Sequence, residues 1–527
     1  MNATTNGEPL IMHATRQRLC AALVSVMAAY GASAPTATHA ADDAGLLIGW
    51  AAADITPDEP VMLSGQFHAR VSEGVMDPVT ATVLALESRG AGSRLVMVSC
   101  DLSTMHDSVR DGVREYIRRE LPELDPMAVL LFATHTHTGP VTQVSERYQP
   151  DPQLIRHPYG VELDAVNPIE YVEWATARIG DAVVRAWQGR APGGIAYGLG
   201  HAVVGHNRLI AYTPGHSQMY GKTDHPEFSH VEGYEDHALN VLATYDDQRR
   251  LTGLVINIAC PSQDTEGLYK VSADFWHDTR VELRKRLGDD LFVLPQTAAS
   301  GDQSPHVLVD KRAEARMERI TGRTRRQQIA TRIADGTTAI LPFIEKEIDF
   351  SPKLRHQVET VELPRRLVPE ADSAQAAAEA QRQRKVYEEM LRALEADPEI
   401  RKKPNWYRDV TRAHGLMKRH DRVANRFKLQ EVHPNLPIEV HVARLGDVAI
   451  ASVPFEFYLD YSIQLQSRSK AVQTFVVQLA GPGSYLPTER SVAGGAYGAV
   501  PASTEVGPES GRKLVERTVD AINKMWD

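Results

Sequence analysis

The chain has 527 residues, 43% of them hydrophobic and 24% charged, and a formal net charge of −10. This is ordinary globular composition, long enough for two or three domains or one large α/β domain with insertions. An acidic balance provides no footprint for nucleic acid and none for an anionic membrane surface.

The first forty residues read as an export signal rather than as part of the fold. Arg16 and Arg18 precede an uncharged, Ala-rich run from Leu19 to Ala40, and the small residues Thr38 and Ala40 suit a peptidase site. Residues 1–40 are therefore expected to be removed, leaving a mature chain over 41–527 that is periplasmic or secreted and has no stable membrane span. Of the three cysteines, Cys20 lies in the signal. Cys100 and Cys260 remain, too few for a disulfide scaffold.

The mature part opens with "LLIGWAAADITP", a strand ending in a proline turn, followed by the strand-length runs "TATVLALES" and "SRLVMVSCDLS". The charged helical pattern "HDSVRDGVREYIRREL" then leads to the apolar "MAVLLFATHTH". The same scheme recurs as "RLTGLVINIAC", "ADFWHDTRVELRKRLG" and "DDLFVLPQTAAS". Strand, helix, strand in this order predicts an α/β fold, with a large mixed sheet flanked by helices. Residues 310–427 differ. They hold two charged, helix-prone stretches, the second with Ser373 as its expected N-cap, and a strand-like "RHQVETVELPRR" between them. This reads as an exposed helical excursion within one domain. "IEVHVARLGDVAIASVPFEF" returns to sheet, with Gly446 and Asp447 as a two-residue hairpin turn.

Two motifs carry candidate chemistry. His135 and His137 are two apart at the end of a buried run that Gly139-Pro140 terminates, so on a strand both imidazoles share one face. Such a pair suits a metal site, or one ligand beside a transition-state donor; two hydrogen-bonded polar residues at a strand end would also fit. The second is "AASGDQSPH", residues 298–306, where Gly301 permits close backbone approach and Asp302 and Ser304 sit on a turn. No G-x-S-x-G elbow, H-E-x-x-H helix or C-x-x-C pair occurs, which removes the commonest hydrolase and zincin signatures.

"ATHTHTGP" and "GDQSP" resemble the H-T-H-S-G-P and G-D-x-S-P motifs of the neutral/alkaline non-lysosomal ceramidases, which are zinc-dependent amidases. "ADITP", "VSCDLS", "HNR", "VSAD", "VPFE" and "SYLPTE" fall in that family's order, and the resemblance spans most of residues 46–525. It implies His135, Glu456 and Tyr485 as zinc ligands. His137 and Arg208 would be substrate or oxyanion donors, Tyr497 a further site residue, and Ser304 a nucleophile or positioning group. The family's second zinc histidine is replaced by Cys260, followed by Pro261, so Cys260 is expected to ligate zinc as a thiolate. The sequence runs about forty residues past Tyr485, so the C-terminal immunoglobulin-like domain that the family carries is not expected here. The resulting expectation is an exported Zn²⁺-dependent amidohydrolase that cleaves a small-molecule or lipid N-acyl amide, ceramide-like, by metal-activated water. Direct attack by water is favoured over attack by Ser304, since no Ser–His pairing is evident. The alternatives are another amide or ester, such as an N-acylated sugar or amino lipid, on the same scaffold, and a noncatalytic secreted binding protein.

Overall fold

A computed structural model describes residues 45–90, 92–144, 157–213 and 215–527. The expected signal, residues 1–40, lies outside the described residues.

Among the described residues, two sheets and the helices on their outer faces form a four-layered body. The largest layer is an eight-stranded mixed sheet, in spatial order Phe292–Thr297, Leu251–Ile258, Ala238–Asp246, Ala191–His201, Leu46–Asp54, Thr80–Ser88, Arg94–Cys100 and Val129–Ala133. Its outermost pairs, one at each edge, are parallel and the rest antiparallel. Each parallel pair needs a crossover. Those crossovers are the two predicted helices, Asp107–Glu120 and Phe275–Leu287. Val109, Val113 and Ile117 recur at helical spacing on the first and are all buried.

A second sheet, of strands Leu354–Pro364, Asn435–Leu445, Val448–Ser452 and Gln473–Val477, packs on the first. Leu84, Met97 and Phe132 from one sheet meet Leu445, Ile450 and Phe475 from the other in one apolar core. Gly446 takes the left-handed φ of 61° that the predicted hairpin turn requires. Helices cover both outer faces: Pro168–Gln188 and Arg325–Ile344 on the large sheet, Leu459–Arg468 and Pro508–Lys524 on the small one.

The α/β architecture is thus the predicted one, with two refinements. Within the charged excursion, the Arg325–Ile344 helix buries Ile329, Ile333 and Leu341 against the large sheet, so it is a packed layer. The later helix, Glu370–Ala396, begins after Pro369 and not at Ser373, because Glu370 and Ala371 already continue it. No helix among the described residues is long and apolar enough to cross a membrane.

The large sheet curls until its two edges approach. Ser99 Oγ donates to the Pro295 carbonyl at 2.7 Å, although their strands are six places apart in the sheet. The loops that follow Ala133, Ile258 and Thr297 are thereby gathered at one end. Ser262 Oγ, for instance, donates to Thr134 O at 2.8 Å. Loops leaving the carboxyl ends of parallel strands are where α/β folds place ligands.

Candidate active site

These loops carry the histidines. The strand ends at Ala133, so His135 and His137 lie beyond it, and a shared strand face does not place them. His135 adopts a left-handed φ of 67°, a costly conformation for a residue with a side chain, and one common at functional sites. Its Nδ1–H donates to Ser103 O at 2.6 Å, which turns Nε2 towards Glu456 Oε2 at 3.6 Å and His137 Nε2 at 3.4 Å. Gly65 packs on the other side of His137; a Cβ there would lie 2.4 Å from the imidazole.

Two short strand pairs bring in the remaining groups. His206–Asn207 pairs with Gln303–Ser304, which sets Arg208 beside the Ser304 turn. Glu456–Phe457 pairs with Tyr485–Leu486 in parallel, with Glu456 opposite Tyr485. Gly301 lets the two units touch: its amide donates to Phe457 O at 2.9 Å, and a Cβ would fall 2.4 Å from Glu456 O. Asp302 fastens them further by accepting from Asn207 Nδ2 and from the Leu459 amide, both at 3.0 Å.

The side chains close into a ring. Arg208, almost wholly buried, donates to Tyr220 OH and Gln263 Oε1 at 3.1 Å and to Gly301 O at 2.9 Å. It lies 3.3 Å from Tyr485 OH and 3.4 Å from Glu456 Oε2. The Gln263 amide donates to His137 Nε2 at 2.8 Å, leaving the His137 proton on Nδ1, which faces Glu266 Oε2 at 3.2 Å. Glu266 Oε1 in turn lies 4.0 Å from His306 Nε2. His306 Nδ1 accepts from Ser304 Oγ at 2.7 Å, and Tyr220 OH donates to the same oxygen at 3.3 Å.

Burial and charge set the protonation states. Burial lowers His137 to about 4, against the opposing pull of Glu266, so it is neutral at neutral pH. Burial also lowers His306, again against Glu266. Burial would raise Glu456, but His135, Arg208 and the Tyr485 hydroxyl hold it below the usual carboxylate range. Arg208 is raised well above its ordinary value: burial opposes its charge, and Tyr220, Tyr485 and Glu456 more than offset it.

Of the residues singled out in the sequence, His135, His137, Arg208, Ser304, Glu456 and Tyr485 come together. Tyr497 stands at the edge of the group, edge-on to Tyr485 with ring centres 5.9 Å apart. Cys260 does not join. Its thiol has no exposed surface, points to the carbonyls of Val204 and Pro261, and packs with Ile258, Phe275 and Trp276. Four participants were missed: Tyr220, Gln263, Glu266 and His306. His306 had a legible signal, a histidine two residues after a turn serine. Glu266 and Tyr220 had none, being ordinary polar residues in loops.

The zinc centre implied by the resemblance does not form. Among the described residues, no group of three or more His, Cys, Asp and Glu side chains is placed to hold a metal ion. With Cys260 turned into the core, the implied set loses its thiolate, and the cation facing Glu456 and Tyr485 is the guanidinium of Arg208. The expectations of a Zn²⁺ cofactor, a zinc-dependent amidohydrolase and metal-activated water as the nucleophile are corrected accordingly. Burial raises the Cys260 thiol far above its ordinary value, so it is expected to resist alkylation in the folded protein, with or without added zinc. Cys260→Ser should leave turnover unchanged and cost about 1–2 kcal/mol of stability for burying a hydroxyl. Fast labelling of native protein by iodoacetamide, read by mass spectrometry, would contradict this placement.

No family model matches the chain, and no curated protein does. Solved structures do. The neutral ceramidase from Pseudomonas aeruginosa superposes with a TM-score of 0.63 at 16% identity, over 92% of this chain and 75% of that one. A ceramidase complexed with C2 gives 0.62 at 16%, with the same coverage. Over most of its length the chain therefore has the fold of a bacterial neutral ceramidase, the fold that its two motifs implied.

Proposed function

We propose that the protein is an acyl hydrolase that cleaves an amide or ester through Ser304, with His306 as general base. The observation that carries this reading is the 2.7 Å contact from Ser304 Oγ to His306 Nδ1, with Glu266 facing the far nitrogen of the same imidazole. Nucleophile, base and orienting carboxylate in this order are what serine acyl transfer requires. His306 is neutral at neutral pH and can take the proton.

In the first step the Ser304 proton passes to His306 Nδ1 as Oγ bonds to the substrate carbonyl carbon. Glu266 steadies the imidazolium. The Tyr220 hydroxyl, polarised by Arg208, is a donor beside the developing oxyanion. Collapse breaks the C–N or C–O bond, and Nδ1 returns the proton to the departing atom. Water then attacks the acyl group and gives its proton to Nδ1, and Oγ recovers a proton as it leaves. Ser304 has no exposed surface while Tyr220 is 36% exposed, so substrate reaches Oγ by displacing the Tyr220 hydroxyl.

The likeness to structures named ceramidases supports a small-molecule or lipid N-acyl substrate. The test is a covalent one. Rapid quenching during turnover of an activated ester should give an acyl adduct on the peptide containing Ser304, and a metal chelator should leave the rate unchanged. Absence of any adduct under burst conditions would reject the nucleophile.

Export to the periplasm or medium is the second part of the proposal, resting on Arg16, Arg18 and the run Leu19 to Ala40. Mature protein should begin near Ala41. Exported protein that retains Leu19 to Tyr30 on N-terminal sequencing would overturn it.

A further inference from the structure

The helix Lys311–Thr321 follows the Ser304–His306 pair, and its faces are inverted relative to an ordinary surface helix. None of its residues is buried. The two that are partly covered are its carboxylates, Glu314 and Glu318, and Glu314 pairs with Arg332 of the Arg325–Ile344 helix at 3.1 Å. Its apolar residues Ala313, Met317 and Ile320, spaced four and three apart as one helical stripe, face outwards. Ile320 is 55% exposed, Met317 40%, and Val309, just before the helix, 63%. A surface helix ordinarily packs such a stripe on the core.

A second stripe runs beside the first. Arg312, Arg316 and Arg319 each precede a residue of the apolar stripe by one position, so a row of guanidinium groups flanks a row of apolar side chains on the open side. All three arginines are exposed and make no ion pair among the described residues. The chain as a whole is acidic, but this helix carries four cationic side chains against two carboxylates, one of them already paired with Arg332.

The charge decides what covers this face. A second copy of the chain would set one arginine row against another, because a twofold contact apposes the same patch on both partners. The face also lacks the Trp and Tyr side chains that anchor protein interfaces. Apolar residues beside a cationic row are what an interfacial helix presents to an anionic bilayer: the apolar row enters the acyl boundary and the arginines meet the headgroup phosphates. A helix of 11 residues is marginal in water by itself, so cover on this face would also stabilise it. The helix is tied to the entrance of the site as well. Leu308 packs with Ile210 and Tyr212, and its carbonyl accepts from Thr223 Oγ at 2.8 Å. Leu209–Tyr212 pairs with His216–Met219, the strand that leads into Tyr220. The helix and the Tyr220 hydroxyl that substrate displaces are thus attached to one small sheet.

We propose that Lys311–Thr321 docks the protein on an anionic lipid surface, with Met317 and Ile320 inserted and Arg312, Arg316 and Arg319 on the headgroups. The binding is independent of the chemistry at Ser304. Only its consequence, that docking presents a lipid N-acyl substrate at the Tyr220 entrance, rests on the acyl-hydrolase reading.

The test is co-sedimentation of the exported protein with vesicles of phosphatidylcholine alone and of an equimolar mixture with phosphatidylglycerol. Binding to the mixture should be about tenfold or more tighter, and the difference should shrink at high salt. Arg312→Gln/Arg316→Gln/Arg319→Gln should abolish that preference. Met317→Ser/Ile320→Ser should weaken binding to the mixture by about tenfold or more, since each apolar side chain taken into the acyl boundary contributes. Both variants change exposed side chains only, so their unfolding midpoints and their hydrolysis of a water-soluble activated ester should match the parent. No binding, equal binding to both vesicles, or binding to the mixture that survives either variant would overturn the proposal. So would a concentration-dependent dimer, abolished by Met317→Ser/Ile320→Ser, in place of vesicle binding. Should no acyl adduct form on Ser304, the nucleophile assignment fails while the docking still stands or falls on these measurements.

Discussion

Ser304→Ala is expected to lower kcat by about 10³-fold or more while the protein stays folded, since it removes the attacking atom and leaves only binding and electrostatics. Residues of a nucleophile–base pair act as a unit, so their effects are far from additive. Ser304→Ala/His306→Ala should therefore be scarcely slower than Ser304→Ala alone. A second readout is the acid limb of the pH–rate profile. His306 must be neutral to accept the Ser304 proton, and burial lowers it from the ordinary value of 6.5. The rate should be full at neutral pH and fall as pH drops through the His306 value, with the midpoint below 6.5. His306→Asn keeps a hydrogen-bonding side chain but no base, and should abolish that limb together with most of the activity. Turnover of Ser304→Ala within tenfold of the parent would exclude nucleophilic attack by this residue.

Arg208→Met is expected to lose both activity and stability. The guanidinium is the cation facing Glu456 and Tyr485, and Glu456 is only 16% exposed. Removing one partner of a buried pair leaves the other charge uncompensated, at a cost of about 3 kcal/mol. Activity should fall by about 10²-fold or more, because Tyr220 loses the donor that polarises its hydroxyl. The stability loss has a defined pH dependence. With Arg208 present, Glu456 is held below its ordinary value, so its contribution is present above the unfolded value and is lost as pH falls through the folded one. Arg208→Met raises the folded value, so the variant should lie furthest below the parent at neutral pH and approach it in acid, where Glu456 is protonated. Adding Glu456→Gln should recover most of the lost stability at neutral pH. Thermal or urea unfolding at several pH values checks this, and an unchanged deficit in the double variant would reject charge compensation as the cause.

Some features were written in local pattern. The two strand–helix–strand units were legible because periods of 2 and 3.6 switch sharply within "SRLVMVSC" to "MAVLLFA" and within "RLTGLVINI" to "DDLFVLP", and each parallel pair needs such a crossover. The Gly446 turn was legible because two-residue hairpins favour glycine at positive φ. His135, His137 and Ser304 were marked by their setting, polar residues bounded by Gly and Pro at the end of buried runs.

What sequence pattern could not decide is which loops meet. The loops carrying His137, Glu266 and Ser304 follow strands that lie at opposite edges of the large sheet, and only its curling brings them together. Glu266 and Tyr220 become functional candidates by that closure alone. Cys260 shows the same limit in reverse. Its position after an apolar strand allowed either a ligand or a core residue, and the direction of its side chain, towards Val204 O and Pro261 O, settled the matter. Side-chain direction at a strand end depends on which backbone packs against it, and that is a property of tertiary structure. The sequence by itself determined the α/β class, the crossover units and a shortlist of polar residues, because these follow from local periodicity and turn chemistry. The tertiary structure decided that the shortlist closes around Arg208, with a serine–histidine pair on its rim, because long-range strand pairing and the packing of loops set those distances.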